Sequence, residues 1–528
     1  MAIISWRGDA AAVAKVVNLT VGGQPLPGDV FAVPMNGKTV QYVEGATATI
    51  ADVVAGLQTA LAASVIAEFQ EVTWTAASPA VAGTAAAAGV PFTVSSLVLT
   101  PANLAVPVQS ATSGTTGGTL TNGTTYFYVV TATNSNGETT KSNQQSYAAT
   151  TLNPTAVLTW AVVPGAAGYK VYRSTTSNTY GATSLLATIG SGATVTYNDT
   201  GTATGAGQPP GSNGASSTAT FVLSTPTASS GPNDVSVPAN YSTGSLPVNG
   251  DSLYIQNTAS SLLYGLSALS GVTLTLLVID STFTGTIGLP QWNTLGYWEY
   301  RPLYFQVGAT TFNVLPGPGG GSGFKQINLG SVQTTANVAD VGTPGQQGRP
   351  ALTLLGTHAA NVLNLTQGNV GSAIDPGDVS TWVTVNIGYQ SSQPNDVTLL
   401  LGSGCTLTTI NQDGGNLTYQ SALTTYLGYA GKCKVLGTAA TTILNAQSAM
   451  VSYQSSGTVT TATAGASGTI DCSPDPRGRI FTNTTIYGEL IDPDHTVTHT
   501  NPVSCPNGIG GPNGATINWG TNFSIQRS

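Results

Sequence analysis

Apolar residues fall along this chain in short alternating runs punctuated by Gly, Ser, Asn and Pro, the pattern of half-buried strands joined by tight turns. The stretch from Thr406 to Cys472 carries it most regularly. Its Thr-Thr pairs, at Thr408-Thr409, Thr424-Thr425, Thr441-Thr442 and Thr460-Thr461, recur at intervals of 16, 17 and 19 residues. Between successive pairs lie a small-residue turn and a second short strand, at Asn416–Tyr419, Lys432–Val435, Met450–Tyr453 and Thr469–Cys472. Overlaying these strands puts Leu417, Cys433, Val451 and Ile470 in one column and Tyr419, Val435, Tyr453 and Cys472 in another. Alternate residues of a strand share a face, so both columns point into one core. A repeat this short cannot bury its own apolar face and must stack on its neighbours. The expectation is a right-handed parallel β-solenoid in the C-terminal half, with coils ~4.8 Å apart. Thr suits such ladders because it is β-branched and can hydrogen-bond across to the next coil. Less regular coils are expected over 350–404.

The N-terminal pattern differs. "DVFAVPMNGKTVQYV" predicts a hairpin turning at Asn36-Gly37. Ile50, Val53, Val54, Leu57 and Leu61 then follow helical spacing, with Thr49 placed to cap the helix and Asp52 in its first turn. "EFQEVTWT" and "PFTVSSLVL" read as strands covering that helix, and the latter reads as the partner of "SSTATFVLST". Between them, Tyr126, Tyr128 and Val130 alternate inward before a turn at Asn136-Gly137, and Trp160, Tyr169, Val171 and Tyr172 follow. The expected division is a small α+β domain at 1–100 with 213–230, a β-sandwich insert at 101–212, and the solenoid at 231–528. An aromatic-rich segment lies at 291–313. The fold class is mainly β.

Composition narrows the function. Charged residues are 7% of 528, against about 25% in an ordinary globular protein, while 41% are hydrophobic and 64 are Gly. A like charge repeated every ~5 Å along a ladder would repel itself, so low charge suits stacked coils. With a net charge of −8 and 14 Lys plus Arg, no basic surface for nucleic acid is expected. No run of 18 or more apolar residues predicts a membrane span. Arg7 and Asp9 interrupt the place where a secretory signal needs an apolar core. An extracellular-type composition without that address fits a virion component, assembled in a host cytoplasm and exposed outside later.

Two resemblances sharpen this. "LTW…PGAAGYKVYRS", with the Tyr-rich hairpin, resembles a fibronectin type III module in which that hairpin precedes the Trp strand instead of following it. Such a module implies a spacer or binding role without catalysis. "GPNDVSVPANYSTGSLPVNGDSLYI" resembles the opening coil of β-helical surface proteins, with Tyr241 where those carry Trp. Together the chain resembles a bacteriophage virion protein, a capsid decoration or a tail fibre or spike component. That resemblance implies a structural or adhesion role, virion proteins as partners, a homotrimer, and host surface glycan as a further contact. The alternatives are a host-glycan depolymerase on the same scaffold and a cellular surface adhesin.

Candidate chemistry is sparse. Trp292, Tyr297, Trp298, Tyr300, Tyr304 and Phe305 form the one aromatic-dense stretch, read as a glycan platform, a subunit contact or a core cap. Cys433 and Cys472 fall in inward columns and read as small buried hydrophobes, with no Cys-x-x-Cys pair present. Asp492, Asp494, His495, His499 and Cys505 cluster in sequence, with both His on one face if the run is a strand; a solvated turn is the stronger reading and no metal is expected. Asp396, Asp413, Asp471 and Asp475 are the carboxylates a glycosidase would draw on, yet no two align on one face. "GPGGGSG" lacks the Lys-Ser/Thr of a phosphate-binding loop. No catalytic residue or cofactor is expected.

Overall fold

The computed structural model describes residues 2–520 except 47, 151, 153, 316–322, 340–348 and 389–396. It divides into two compact units, Met1–Ala12 with Ser230–Ser528, and Val13–Ser229.

The larger unit is two long parallel sheets, of 13 and 11 strands, consistent with a β-solenoid-like fold. From Phe305–Gln306 onward, successive strands in sequence alternate between the sheets: Cys405–Gln412 lies in the first, Asn416–Tyr419 in the second, Leu423–Gly428 in the first again. The register of the second sheet follows the sequence columns, with Leu417, Cys433, Val451, Ile470, Leu490 and Ile517 paired in line. The first of the two columns is buried from Leu417 to Leu490, and Tyr419, Val435, Tyr453 and Cys472 are fully buried beside it. One continuous apolar core runs from Ile4 to Ala515.

The first sheet corrects the Thr pairs by one residue. Thr409 pairs with Thr425, but Thr425 pairs with Ile443, and Ile443 with Thr461. The pair Thr441-Thr442 therefore sits one position early: Thr441 points inward, fully buried, and accepts or donates a 2.8 Å hydrogen bond with the Tyr419 hydroxyl. A one-residue slip exchanges the two faces of a strand, and the buried Leu444 fixes which register holds.

Two further expectations change. Residues 1–12 were expected with the α+β domain, but Ile3–Trp6 pairs in parallel with Ser252–Ile255 and opens the first sheet. Its apolar Ile4 and Trp6 need the solenoid core to be buried. Trp6 packs edge-on against Tyr241 at 5.3 Å, so the aromatic pair of the opening coil is drawn from two distant parts of the chain. The second change is in pairing: Thr220–Thr227 lies against Val16–Gly22, and Val98–Thr100 against Val30–Ala32, so the two stretches do not pair with each other.

The smaller unit has two cores. Helix α1 (Ile50–Ala62) is capped by the Thr49 hydroxyl, which accepts from the Asp52 amide at 3.1 Å, and buries Val53, Val54, Leu57 and Leu61. It packs with the hairpin turning at Asn36-Gly37, where both residues have positive φ. The other core lies between a four-stranded sheet, in the order Gln145–Ala148, Thr125–Thr133, Gly168–Ser174, Leu185–Ile189, and a three-stranded one, Thr196–Asp199, Pro154–Thr159, Ser113–Thr116. Trp160 meets Tyr169 edge-on at 5.3 Å in its centre. Among the described residues no helix is long and apolar enough to cross a membrane.

The outer face of the first sheet carries an asparagine ladder. Asn313, Asn337, Asn364, Asn386 and Asn411 stand in register on five successive strands. Each Nδ2 donates to the Oδ1 of the preceding Asn, at 3.0, 2.8, 2.7 and 2.8 Å. Replacing Asn386 by Ala breaks two of these bonds and is expected to cost about 1–3 kcal/mol, read as a lower thermal midpoint.

Candidate functional site

The aromatic segment folds as a tight hairpin in the larger unit. The Asn293 amide donates to the Tyr297 carbonyl at 2.8 Å and the Glu299 amide to the Gln291 carbonyl at 2.9 Å. Trp292 and Trp298 thus form the non-hydrogen-bonded pair between them, where facing side chains come closest. Gly296, at φ 93°, permits the turn.

Alternation splits the hairpin into two faces. On one, Asn293, Tyr297 and Glu299 join Arg301 in a buried polar network. Arg301 Nε donates to Glu299 Oε1 at 2.7 Å, and its terminal nitrogen donates to Glu299 Oε2 and the Tyr297 hydroxyl at 2.8 and 2.9 Å. Asn293 Nδ2 donates to Glu299 Oε2 at 2.9 Å. Burial alone would raise the Glu299 carboxyl, but the bonds from Arg301 and Asn293 outweigh it and hold the group below the ordinary glutamate range. The Arg301 guanidinium also lies over the Tyr264 and Tyr300 rings, at 5.5 and 5.2 Å. A cleft of about 240 Å³, with Tyr264, Asn293, Glu299 and Arg301 among its walls, opens beside this network.

The opposite face carries Trp292 and Trp298, 43% and 62% exposed, with Leu295 at the turn 56% exposed. Their rings meet edge to face at 5.1 Å. An indole pair held by a rigid turn is a surface on which an apolar or sugar face can stack.

The six aromatic candidates therefore separate. Trp292 and Trp298 are exposed together, whereas Tyr297 is buried in the network and Tyr300 stacks on it at 6.1 Å. Tyr304 is also buried; its hydroxyl donates to Asp378 at 2.6 Å, beside Asp375, which pairs with Arg349. Burial, then the Asp375 charge, push the Asp378 carboxyl up. Phe305 is wholly in the solenoid core.

The other candidates stand apart. Asp492 accepts from the Thr496 amide and hydroxyl and the Val497 amide, closing a turn. His495 sits in that turn with φ 53°, outside the strand Val497–His499, so the two His do not share a strand face. His499 bonds Thr484 at 3.0 Å, and burial lowers its pKa. Among the described residues no three His, Cys, Asp or Glu converge as a metal set. Cys433 and Cys472 are buried and free, and burial pushes the Cys472 thiol up to about 12. Asp413 lies in a turn after Gln412, Asp471 accepts from Ser473, and Asp475 pairs with Arg477. Asp396, and all but the last residue of "GPGGGSG", lie outside the described residues.

Sequence reasoning missed the Asn ladder, although its signal is present: Thr-x-Asn at 311–313, 335–337, 384–386 and 409–411, with Val-Leu-Asn at 362–364. The intervals vary because loop lengths differ, so the motif does not announce itself as a repeat. No protein-family model, curated protein or solved structure matches this chain.

Proposed function

We propose that the chain is a non-enzymatic structural and adhesion component of a virion, a capsid decoration or part of a tail fibre or spike. In this reading it assembles as a homotrimer with other virion proteins and presents a contact for host surface glycan. The observation that carries the reading is the exposed Trp292–Trp298 pair, fixed by a buried ion pair on a stack of parallel coils. A stack of near-identical coils is stiff because each coil is hydrogen-bonded along its length to both neighbours, which suits holding or reaching. Same-sheet parallel crossovers are overwhelmingly right-handed, and that supports the right-handed form of the solenoid.

The sandwich supports the fibronectin type III reading. Move the hairpin of Thr125–Thr133 and Gln145–Ala148 to the end of the strand order, and the first, second and fifth strands form one sheet. The fourth, third, sixth and seventh then form the other, in that order. Such a two-sheet sandwich supports that reading, with the hairpin permuted in the chain.

The test is mass spectrometry of purified particles against cell-envelope fractions, followed by binding of the purified protein to host surface polysaccharide. Detection in particles, with binding weakened about tenfold or more by Trp298→Ala and an unchanged thermal midpoint, is the expected result. Recovery only from envelope fractions would refute the virion role, and new reducing ends on the polysaccharide would refute the non-enzymatic one.

A further inference from the structure

The outer face of the first sheet carries two parallel columns over the five Asn strands. One is Asn313, Asn337, Asn364, Asn386 and Asn411; two residues earlier on each strand stand Thr311, Thr335, Val362, Thr384 and Thr409. These side chains are half-buried, with Thr335 exposed. None is ionisable. On the second sheet the ionisable outer residues Lys432, Lys434, Asp471 and Glu489 lie on later coils.

Among the described residues, hydrogen-bonding capacity on this strip is only partly used. A side-chain amide has two N–H donors and two lone pairs. Each inner Asn spends one donor on the preceding coil and one lone pair on the following one. Each amide keeps at least one donor and one lone pair that the ladder does not use, next to a Thr on four of the five strands. The ladder also fixes every amide rotamer in advance, so a ligand need not order them and the entropic cost of binding falls.

The spacing selects the ligand. Donor–acceptor sets repeat every ~4.8 Å over ~19 Å. An extended polypeptide advances ~3.4 Å per residue and drifts out of step within one coil. Nucleic acid is disfavoured by the absence of cations here and by the net charge of −8. A linear polysaccharide in an extended form advances by close to one coil per sugar and offers hydroxyls as both donors and acceptors. We propose that the Asn–Thr strip is a binding site for a neutral, extended polysaccharide lying along the coil axis, one sugar per coil and about five sugars in all. The inference rests on the adhesion part of the proposed function and adds to the Trp pair a second contact, on this strip.

Calorimetric titration with neutral linear gluco-oligosaccharides and N-acetylglucosamine oligomers of increasing length tests it, with an acidic polysaccharide as comparison. Affinity is expected to rise with each added sugar and level off at about five. Asn386→Thr, which keeps a strand-forming side chain, is expected to weaken binding about fivefold, the worth of about one hydrogen bond, and Asn364→Thr/Asn386→Thr more than tenfold. Met450→Ser, at an exposed outer position of the second sheet and outside the strip, is expected to bind as the parent does. Thermal midpoints of all variants report folding separately. Undiminished affinity in the folded Asn variants, or affinity independent of chain length, would overturn the strip while leaving adhesion intact if Trp298→Ala alone abolishes binding. Absence of binding to every neutral chain would overturn the strip whatever the fate of the virion assignment, which particle composition decides.

Discussion

Val451→Asp is expected to unfold the larger unit at ordinary temperature or lower its stability by more than about 4 kcal/mol. Val451 is fully buried, paired in register between Cys433 and Ile470, with Tyr453 beside it facing the same core. A carboxylate there has no partner of opposite charge in its column and must either ionise in an apolar interior or take up a proton. Val451→Ala, which only leaves a small void, is expected to cost about 1–3 kcal/mol. The adjacent Met450 is half exposed and points the other way, between Lys432 and Thr469. Met450→Asp is therefore expected to stay within about 0.5 kcal/mol of the parent. Chemical denaturation followed by circular dichroism checks all three, and equal effects at 450 and 451 would contradict the alternation on which the stack is built.

Glu299→Gln has the second largest expected effect. Glu299 is fully buried and holds Arg301, whose side chain is 8% exposed, through paired hydrogen bonds. Removing the carboxylate charge leaves the buried guanidinium without its counter-charge, a change that costs about 3–5 kcal/mol when one partner of a buried pair is deleted. The loss falls on the hairpin, because Asn293 and Tyr297 are tied to the same pair. Faster hydrogen exchange at residues 291–301 and altered Trp fluorescence are the expected readouts. The parent should respond to acid in the same place. The folded pKa of Glu299 lies below its unfolded value, so its contribution is complete above the ordinary glutamate range and is lost as pH falls through the folded value. A hairpin that loosens at neutral pH instead would contradict this account.

The stack of coils was legible because its signal is short-range and repeated. Leu417, Cys433, Val451 and Ile470 share a strand face, a turn and a neighbour, and near-equal coil lengths bring them into line. Thr441 was misplaced because Thr reads alike on either face of a strand; only burial of Leu444 next to Ile443 decides the register. The pairing of Ile3–Trp6 with Ser252–Ile255 joins residues about 250 apart, and no local pattern encodes such a partner. Helix α1 was readable from its cap and apolar stripe, while Ala67–Gln70 formed a further helical turn where a strand was expected.

Of the aromatic candidates, the sequence marked the segment but not its sides. Trp292 and Trp298 became separable from Tyr297 only once the hairpin register set the even and odd positions on opposite faces. The partners of Tyr304, at Asp375 and Asp378, lie more than 70 residues away, and only the stacking of coils brings them near. The Asn ladder escaped for a related reason, since unequal loops hide a repeat that the parallel register restores.

Distances between spin labels along one outward column test the stack most directly. Labels at Thr311 paired in turn with Thr409, Thr461 and Asn483 lie four, seven and eight coils apart in the register described. Separations of ~19, ~34 and ~38 Å, narrow and linear in the number of coils, are expected from a 4.8 Å step. Separations that do not grow with coil number, or that scatter broadly, would contradict the parallel stack.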